Sequence, residues 1–575
     1  MGKLLKYFKP YAWLLIILLV FTIGQVIANL SLPDYMANIV NHGIVGQDKT
    51  VVYHYGLIML LVALGGGLCT VVAGYVASRI GTGFSKDIRN QLFKKIESFS
   101  LSEFNQFSTA SLITRNTNDV QQIQTVLIMV LRLALMAPLM GVNAIIKSYG
   151  LAPSMTWIMV VAVITLIVII VIIFSMALPR FARLQKLVDH LNLVTREILT
   201  GLRVIRAFGQ EKREEGKFKQ ANRNLTDVNL FVNRLMAVLQ PSMMLIMNFT
   251  MIAIVWIGAR QIDAGNLQIG NMLAFMQYAM QAIFAFLMIS IIFIMLPRAS
   301  VSARRIAEVL QTELAIKDPV HPVTTTQHNG QVEFKNVSFK YAGAEGSVLD
   351  NISFVAVPGQ TTAIIGSTGS GKSTLVNLIP RFYDVTKGEI LVDGIDIREM
   401  TQQDLRSRIG YVSQKAILFS GTVKDNITYG VPDAADNEIQ HAADIAQASE
   451  FINESENKFD NRISQAGSNV SGGQRQRLAI ARALAKKPDI YLFDDSFSAL
   501  DLKTDALLRQ ALKNETDRKT VIIVAQRIST IIHAEKILVI DNGKIVGEGT
   551  HGELLKNSAI YKEIASSQFS EKELM

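Results

Sequence analysis

The pattern of apolar and polar positions changes character near residue 300. Before it, long apolar runs alternate with polar stretches; after about residue 330 the runs shorten to strand length and are punctuated by glycine. A helix needs about 20 apolar residues to cross the core of a bilayer. Six segments qualify: 11–32, 56–78, 126–147, 154–178, 241–259 and 273–297. The fourth, with Val160, Val161, Val163, Ile164 and Ile167–Ile170, is too long and apolar for a helix of a soluble core. Ahead of the first run, Lys3 to Lys9 is short, basic and amphipathic, which predicts a helix lying in the interface. No small-residue cleavage site closes the first run, so it does not read as a signal peptide. Apolar residues then recur at helical spacing through Leu184, Leu187, Leu191, Val194, Ile198, Leu202 and Ile205, so the spans are expected to continue as helices well beyond the membrane. Thr312 to Gly330, with Pro319, Pro322 and Thr324-Thr325-Thr326, reads as a linker. The expected organisation is an α-helical six-span transmembrane domain over 1–310, a linker over 311–330 and an α/β domain over 331–575.

Composition agrees with two unlike halves. The 575 residues are 50% hydrophobic and 18% charged, with mean hydropathy +0.29; a soluble chain carries about 25% charged residues. A single cysteine, Cys69, excludes a disulfide framework and a Cys-based metal cluster within this chain. The net charge of +9 is unevenly placed. The loop over 82–118 holds five Lys or Arg and the loop over 180–238 holds twelve, whereas 33–53, 148–153 and 260–271 hold only Lys49 and Arg260 between them. Positive loops stay on the cytoplasmic side, which puts both termini and both long loops there. The positive balance is thus an address at the inner membrane surface, and nucleic acid drops out as a partner.

Few ionisable residues fall inside the spans. Arg132 sits near the cytoplasmic start of span three and reads as a snorkelling cation in preference to a substrate contact. Asp34, at the outer end of span one, reads as an interface residue. Spans five and six carry Met243, Met244, Met247, Met251, Met272, Met276, Met280, Met288 and Met295 with Phe275, Phe284 and Phe286. Each alone is ordinary packing; as a group they suit a cavity that accepts varied hydrophobic or amphipathic small molecules.

The chemistry lies in the second half. Thr361 to Ile365 is a buried strand, followed by Gly366-Ser367-Thr368-Gly369-Ser370-Gly371-Lys372-Ser373-Thr374 and a helical run. Glycines let successive backbone N–H groups turn inward around phosphate oxygens, and the helix N-terminus adds its positive dipole. Lys372 is expected to reach the β/γ-phosphates of ATP and Ser373 a Mg²⁺ ion. A second strand, Asp489 to Asp494, buries four apolar residues and places Asp494 at its carboxyl end to hold Mg²⁺ through water. Between them, Ser471-Gly472-Gly473-Gln474 is a turn opening another helix.

This set, with six spans ahead of it, resembles the ATP-binding cassette transporters, and its order is similar to that of a half-size exporter. The resemblance implies a type I exporter-like fold ending in a P-loop ATPase domain. It assigns Gln414 to a Gln-loop that also reaches Mg²⁺, and Ser471 to Gln474 to the signature. Ser498-Ala499-Leu500-Asp501 becomes the D-loop, and Tyr341 the aromatic that stacks on adenine. It implies a head-to-tail pair, each ATP lying between one chain's phosphate loop and the other's signature. Segments around 107–118 and 207–218 match in position the family's coupling helices.

Two residues depart from that family. The position that usually holds a water-polarising Glu is Asp495, and the switch histidine is Gln526. Asp is one methylene shorter, and Gln cannot copy imidazole's contacts. With the signature intact, the pattern is similar to one chain of the bacterial heterodimeric multidrug exporters. The expected function is ATP-driven export of amphipathic drugs or lipids by a heterodimer with one slow ATP site. A homodimer, a lipid A or peptide exporter, and a non-transporting nucleotide-sensing subunit are the alternatives.

Overall fold

In the computed structural model residues 2–324 and 328–568 are described; Thr325 and Thr326 of the expected linker lie outside the described residues. Contacts divide the chain into two compact units, Met1–Glu97 with Thr109–Thr312, and Ser98–Ser108 with Glu313–Met575.

The first unit is built on helices α1 (Ala12–Asn38), α2 (Lys49–Glu97), α4 (Val120–Leu151), α5 (Thr156–Thr200), α6 (Glu211–Asp263) and α7 (Ile269–Gln311), with α3 (Leu101–Gln106) falling in the second unit. Six helical stretches are long and apolar enough to cross a membrane. Lipid offers no hydrogen bonds, so the backbone in each apolar run satisfies its own N–H and C=O groups as a helix. The helices overrun the hydrocarbon as expected: α6 has 53 residues, roughly 80 Å at 1.5 Å per residue, against a core of about 30 Å. The segment ahead of α1 forms a 3₁₀ helix over Gly2–Tyr11, and the Tyr11 hydroxyl donates to Asp87 on α2 at 2.8 Å.

Polar contacts pin both ends of this unit. Tyr278, fully buried on α7, sets its hydroxyl 2.6 Å from Asp34 Oδ1 and 2.7 Å from the Leu30 carbonyl. Lys147 on α4 closes a 2.7 Å ion pair with Asp34. At the other end a π-helical turn over Arg115–Asp119 aims Arg115 at the Arg305 carbonyl (2.6 Å) and Glu308 (3.1 Å). Asp119 in turn accepts from Ser302 at 2.9 Å.

In the second unit, β1 (Val332–Phe339), β2 (Leu349–Ala356), β4 (Lys387–Val392) and β5 (Ile395–Asp396) form an antiparallel sheet in the order β2-β1-β4-β5. The second sheet contains β3 (Thr361–Gly366), β6 (Ile409–Val412), β9 (Ile490–Asp494), β10 (Thr520–Val524), β11 (Lys536–Asp541) and β12 (Lys544–Gly549), in the order β12-β11-β3-β10-β9-β6. All but β12 run parallel. A two-residue ribbon pairs β7 (Gly421–Thr422) with β8 (Arg462–Ile463). Strands β9 and β10 are buried at every residue, as expected for a sheet covered on both faces. Helices α8 (Lys372–Leu378), α9 (Gly472–Ala485) and α10 (Leu502–Glu515) complete the elements that matter for the site.

The stretch that groups with this unit starts upstream of the expected 107–118, and a second short helix covers Leu202–Ala207, just ahead of 207–218. The reason is a capping box: Ser100 receives the Ser102 N–H, and Glu103 accepts from the Ser100 N–H at 2.7 Å, which starts α3 at Leu101. The other Glu103 oxygen accepts from the Ala315 N–H at 2.8 Å, and the residue is 4% exposed. Glu103→Ala leaves two N–H groups without acceptors, which costs about 1–3 kcal/mol. Its thermal midpoint in the full chain is expected to fall clearly, and that of Glu103→Gln less, because the amide oxygen still accepts one bond; equal midpoints for Ala and wild type would contradict this.

Candidate functional site

Because β3, β10, β9 and β6 are adjacent and parallel, their carboxyl ends emerge at one edge of the sheet, and each delivers one part of the site. Strand β3 runs into the loop from Gly366 to Thr374. Gly371, with φ +102°, turns the chain into α8, and a Cβ there would sit 2.8 Å from Leu349. A Cβ on Gly366 would come 2.0 Å from the Ile540 carbonyl oxygen. Backbone approach therefore dictates glycine at 366 and the left-handed turn at 371, while Ser367, Thr368 and Gly369 stay exposed at the loop tip. The buried Lys372 donates from Nζ to the carbonyls of Gly366 (2.9 Å) and Ser367 (2.7 Å), closing the loop on itself. Burial pulls its pKa down, against the opposing pull of Asp495 and Asp494. Among the described residues, the buried Ser370 Oγ has no hydrogen-bond partner.

Strand β9 ends in Asp494, which accepts from the Ser373 hydroxyl at 2.8 Å. The next residue, Asp495, adopts a left-handed backbone with φ +48°, and its N–H bonds the Val524 carbonyl at 3.0 Å. That turn points its carboxylate toward the ends of β6 and β10. Gln414, just past β6, donates from Nε2 to Asp495 Oδ2 at 3.0 Å, and Gln526, just past β10, donates to the same oxygen at 2.7 Å. The expected Mg²⁺ contact Gln414 is thus placed on Asp495, beside the Ser373–Asp494 pair. Burial holds both Asp494 and Asp495 above the usual carboxylate range; the Ser373 hydroxyl opposes the shift at Asp494, and the Gln414 amide at Asp495.

Tyr341 follows β1, with its hydroxyl 3.0 Å from Thr374 Oγ1. Its ring meets Phe339 and Tyr383 edge to face, at 4.8 and 5.3 Å. These rings border a cavity of about 450 Å³ that Ser100, Asn105 and Ile316 also line. The Asn105 amide donates to the Tyr383 hydroxyl at 3.0 Å. Sequence reasoning passed over Tyr383, Asn105 and Glu103, since none lies in a motif and their contacts join distant segments.

Ser471 caps α9: its hydroxyl accepts from the Gln474 N–H at 3.2 Å, and the Gln474 side chain accepts from the Ser471 N–H at 2.9 Å. This reciprocal box leaves Gly472 exposed and Gly473 partly so at a helix N-terminus. Asp501 caps α10 through the Thr504 N–H (3.0 Å), which holds its carboxyl below the usual range. Ser498 closes back onto the Asp495 carbonyl at 2.9 Å.

A phosphate loop and a carboxylate strand at one sheet edge, in a chain that also carries six membrane-length helices, define an ATPase-driven membrane transporter. Two family models match: the ABC transporter transmembrane region over 15–315 and the ABC transporter domain over 349–498. The chain belongs to the ATP-binding cassette transporter family, with the type I exporter fold and an ABC ATPase domain. It is 43% identical over 572 residues to an uncharacterized ABC transporter ATP-binding protein of Mycobacterium tuberculosis, covering 99% of this chain and 98% of that one. It is 38% identical to the uncharacterized ABC transporter ATP-binding protein YfiB of Bacillus subtilis, over 99% of both. An ATP-dependent lipid A-core flippase of Pseudomonas aeruginosa is 31% identical over 92% of this chain and 87% of that one. Among solved structures, a bacterial Atm1-family ABC exporter with ATP bound superposes with TM-score 0.81 at 25% identity, over 98% of this chain and 99% of that one.

An acid held above its ordinary pKa by burial destabilises the folded state when ionised, and the penalty is relieved as the pH falls through the raised value. The nucleotide-free protein is therefore expected to lose less stability on mild acidification than its exposed carboxylates alone would cause. Asp495→Asn should raise the thermal midpoint at neutral pH, with the gain shrinking toward acidic pH. A midpoint gain that is constant with pH would contradict this origin.

Proposed function

We propose that this chain is one half of a heterodimeric exporter of amphipathic drugs or lipids at the bacterial cytoplasmic membrane. Its termini and ATPase domain are cytoplasmic, and its own phosphate loop forms the slow ATP site. The observation that carries this reading is the pairing of Asp495 with Gln526. A general base is worth about 10²–10⁴-fold in rate when its lone pair faces the proton it takes. Asp495 Oδ2 instead receives two amide N–H groups, on a side chain one methylene shorter than the family's Glu. Gln526 is neutral at every working pH and offers no imidazole to the γ-phosphate.

The loop fits ATP with Mg²⁺. Gly366 and Gly371, where a Cβ would crowd neighbouring atoms, the Ser370 hydroxyl with no partner among the described residues and the buried Lys372 ammonium suit phosphate oxygens. Ser373 and Asp494 would hold the cation, with Gln414 beside them. When bound, Mg²⁺ neutralises charge on the β- and γ-phosphates. Lys372 would exchange its own loop carbonyls for phosphate oxygens, and Tyr341 would offer its ring to adenine. The capped signature, Ser471 to Gln474, presents N–H groups and a helix dipole to the γ-phosphate on the partner's loop, with Asp501 at the same junction. Names of relatives support lipid as a substrate class, and the methionines of spans five and six support varied amphipathic cargo.

The purified chain alone is expected to bind ATP and turn it over slowly, with brisk hydrolysis only when its partner is present; robust turnover by this chain alone would sink the heterodimer reading. In the pair, Asp495→Glu with Gln526→His should convert the slow site to a hydrolysing one and raise ATPase activity up to about twofold, since two competent sites replace one. No hydrolysis gained at that site means the two residues are not what disables it. ATP-dependent dye or lipid flux in vesicles separates export from nucleotide sensing, which predicts none.

A further inference from the structure

Strand β10 pairs with β9 as far as Val524 and Asp494, and the chain that leaves it carries Gln526, whose side chain donates to Asp495. The following residue, Arg527, is extended, with φ −101° and ψ 128°. Around an extended residue, the carbonyl before it and the N–H after it point to the same side. The Gln526 carbonyl and the Ile528 N–H therefore face one way together, beyond the last paired residue of the strand.

One side chain answers both groups. Gln568 accepts the Ile528 N–H on Oε1 at 2.8 Å and donates from Nε2 to the Gln526 carbonyl at 2.8 Å. A carboxamide carries a donor and an acceptor side by side, as a neighbouring strand would, so Gln568 adds one rung where strand pairing has stopped. Its own place is set from behind. It follows a helix over Ala559–Ser566, and its N–H donates to the Ala565 carbonyl at 3.0 Å. Tyr561 and Ala565 of that helix are fully buried in the same apolar core as Ile528. On the other edge Arg527 donates to the Ser498 carbonyl at 3.3 Å, and Ser498 bonds the Asp495 carbonyl. The backbone over 526–528 is thus held from both sides, with the Gln526 side chain set against Asp495 Oδ2. Gln526 and Gln568 are exposed, and amide bonds that replace water bonds add little net stability. What this clamp supplies is position.

We propose that Gln568 is a positioning residue for the switch position: it fixes the backbone at residue 526, and through it how that side chain closes on Asp495 and on nucleotide at this chain's phosphate loop. The inference rests on the placement of Gln526 in the nucleotide site under the reading above, and is independent of whether that site is slow.

The test uses the intact pair loaded with radiolabelled ATP, this chain's site being the label that Lys372→Ala abolishes. In Gln568→Ala the Ile528 amide should exchange with solvent about tenfold faster than in wild type. Label should leave this chain's site about tenfold faster on a chase of unlabelled ATP, the scale of one or two hydrogen bonds. Gln568→Glu still accepts from Ile528 but cannot donate to the Gln526 carbonyl, so both rates should fall between those of wild type and Gln568→Ala. Faster exchange with unchanged release would make Gln568 a structural cap and overturn the proposal. Unchanged exchange would overturn the clamp, and a Gln568→Glu release rate equal to wild type would leave the bond to residue 526 idle and overturn it too. Label leaving the wild-type site as ADP would remove the slow-site reading, while the comparison of release rates among the three proteins still decides the role of Gln568.

Discussion

One carboxylate oxygen receiving two amides organises the catalytic edge of this ATPase. Asp495 Oδ2 draws Gln414 from the end of β6 and Gln526 from the end of β10 onto a single point beyond β9. The left-handed turn at Asp495 makes this possible, and the Val524 carbonyl holds that turn by accepting its N–H. The same residue's carbonyl accepts from Ser498, where the chain leaves for Asp501 and α10. Arg527, next to Gln526, donates to the Ser498 carbonyl at 3.3 Å. Loops from three strands are thus tied through one acidic residue, and whatever reaches Asp495 is felt by all of them.

The membrane unit obeys a harder constraint. With no water to satisfy backbone groups, its apolar stretches are helical throughout, and few charges fall within them. Asp34, Lys147 and Tyr278 answer one another at one end. Arg115 and Asp119 are answered by Arg305, Ser302 and Glu308 at the other.

Much of this was legible beforehand. Six unbroken apolar runs pointed to six helices because a run of about 20 apolar residues crosses a bilayer as a helix, and the Gly366 to Thr374 loop announced itself because a phosphate cradle tolerates few alternatives. The structure adds a direct hydrogen bond between Ser373 and Asp494, which the motifs alone had each assigned to Mg²⁺. What stayed hidden depends on neighbours remote in the chain. Gln414 and Asp495 are 81 residues apart, and Asn105 and Tyr383 are 278 apart. Hydropathy passed over α3 because its start is encoded by one Ser–Glu cap within six residues, too short for a periodic signal. The position of Arg132, its guanidinium carbon 3.9 Å from where a Cβ on Gly74 would stand, is set by packing, which no spacing reports.

The central claim is that Asp495 and Gln526 make this chain's ATP site hold nucleotide without turning it over. It is tested most directly by the nucleotide retained on the purified pair after many turnovers with radiolabelled ATP. The account predicts about one nucleotide per pair retained as intact ATP, lost when Lys372→Ala is introduced in this chain, while the other site cycles to ADP. Conversion of both nucleotides to ADP at equal rates would contradict it.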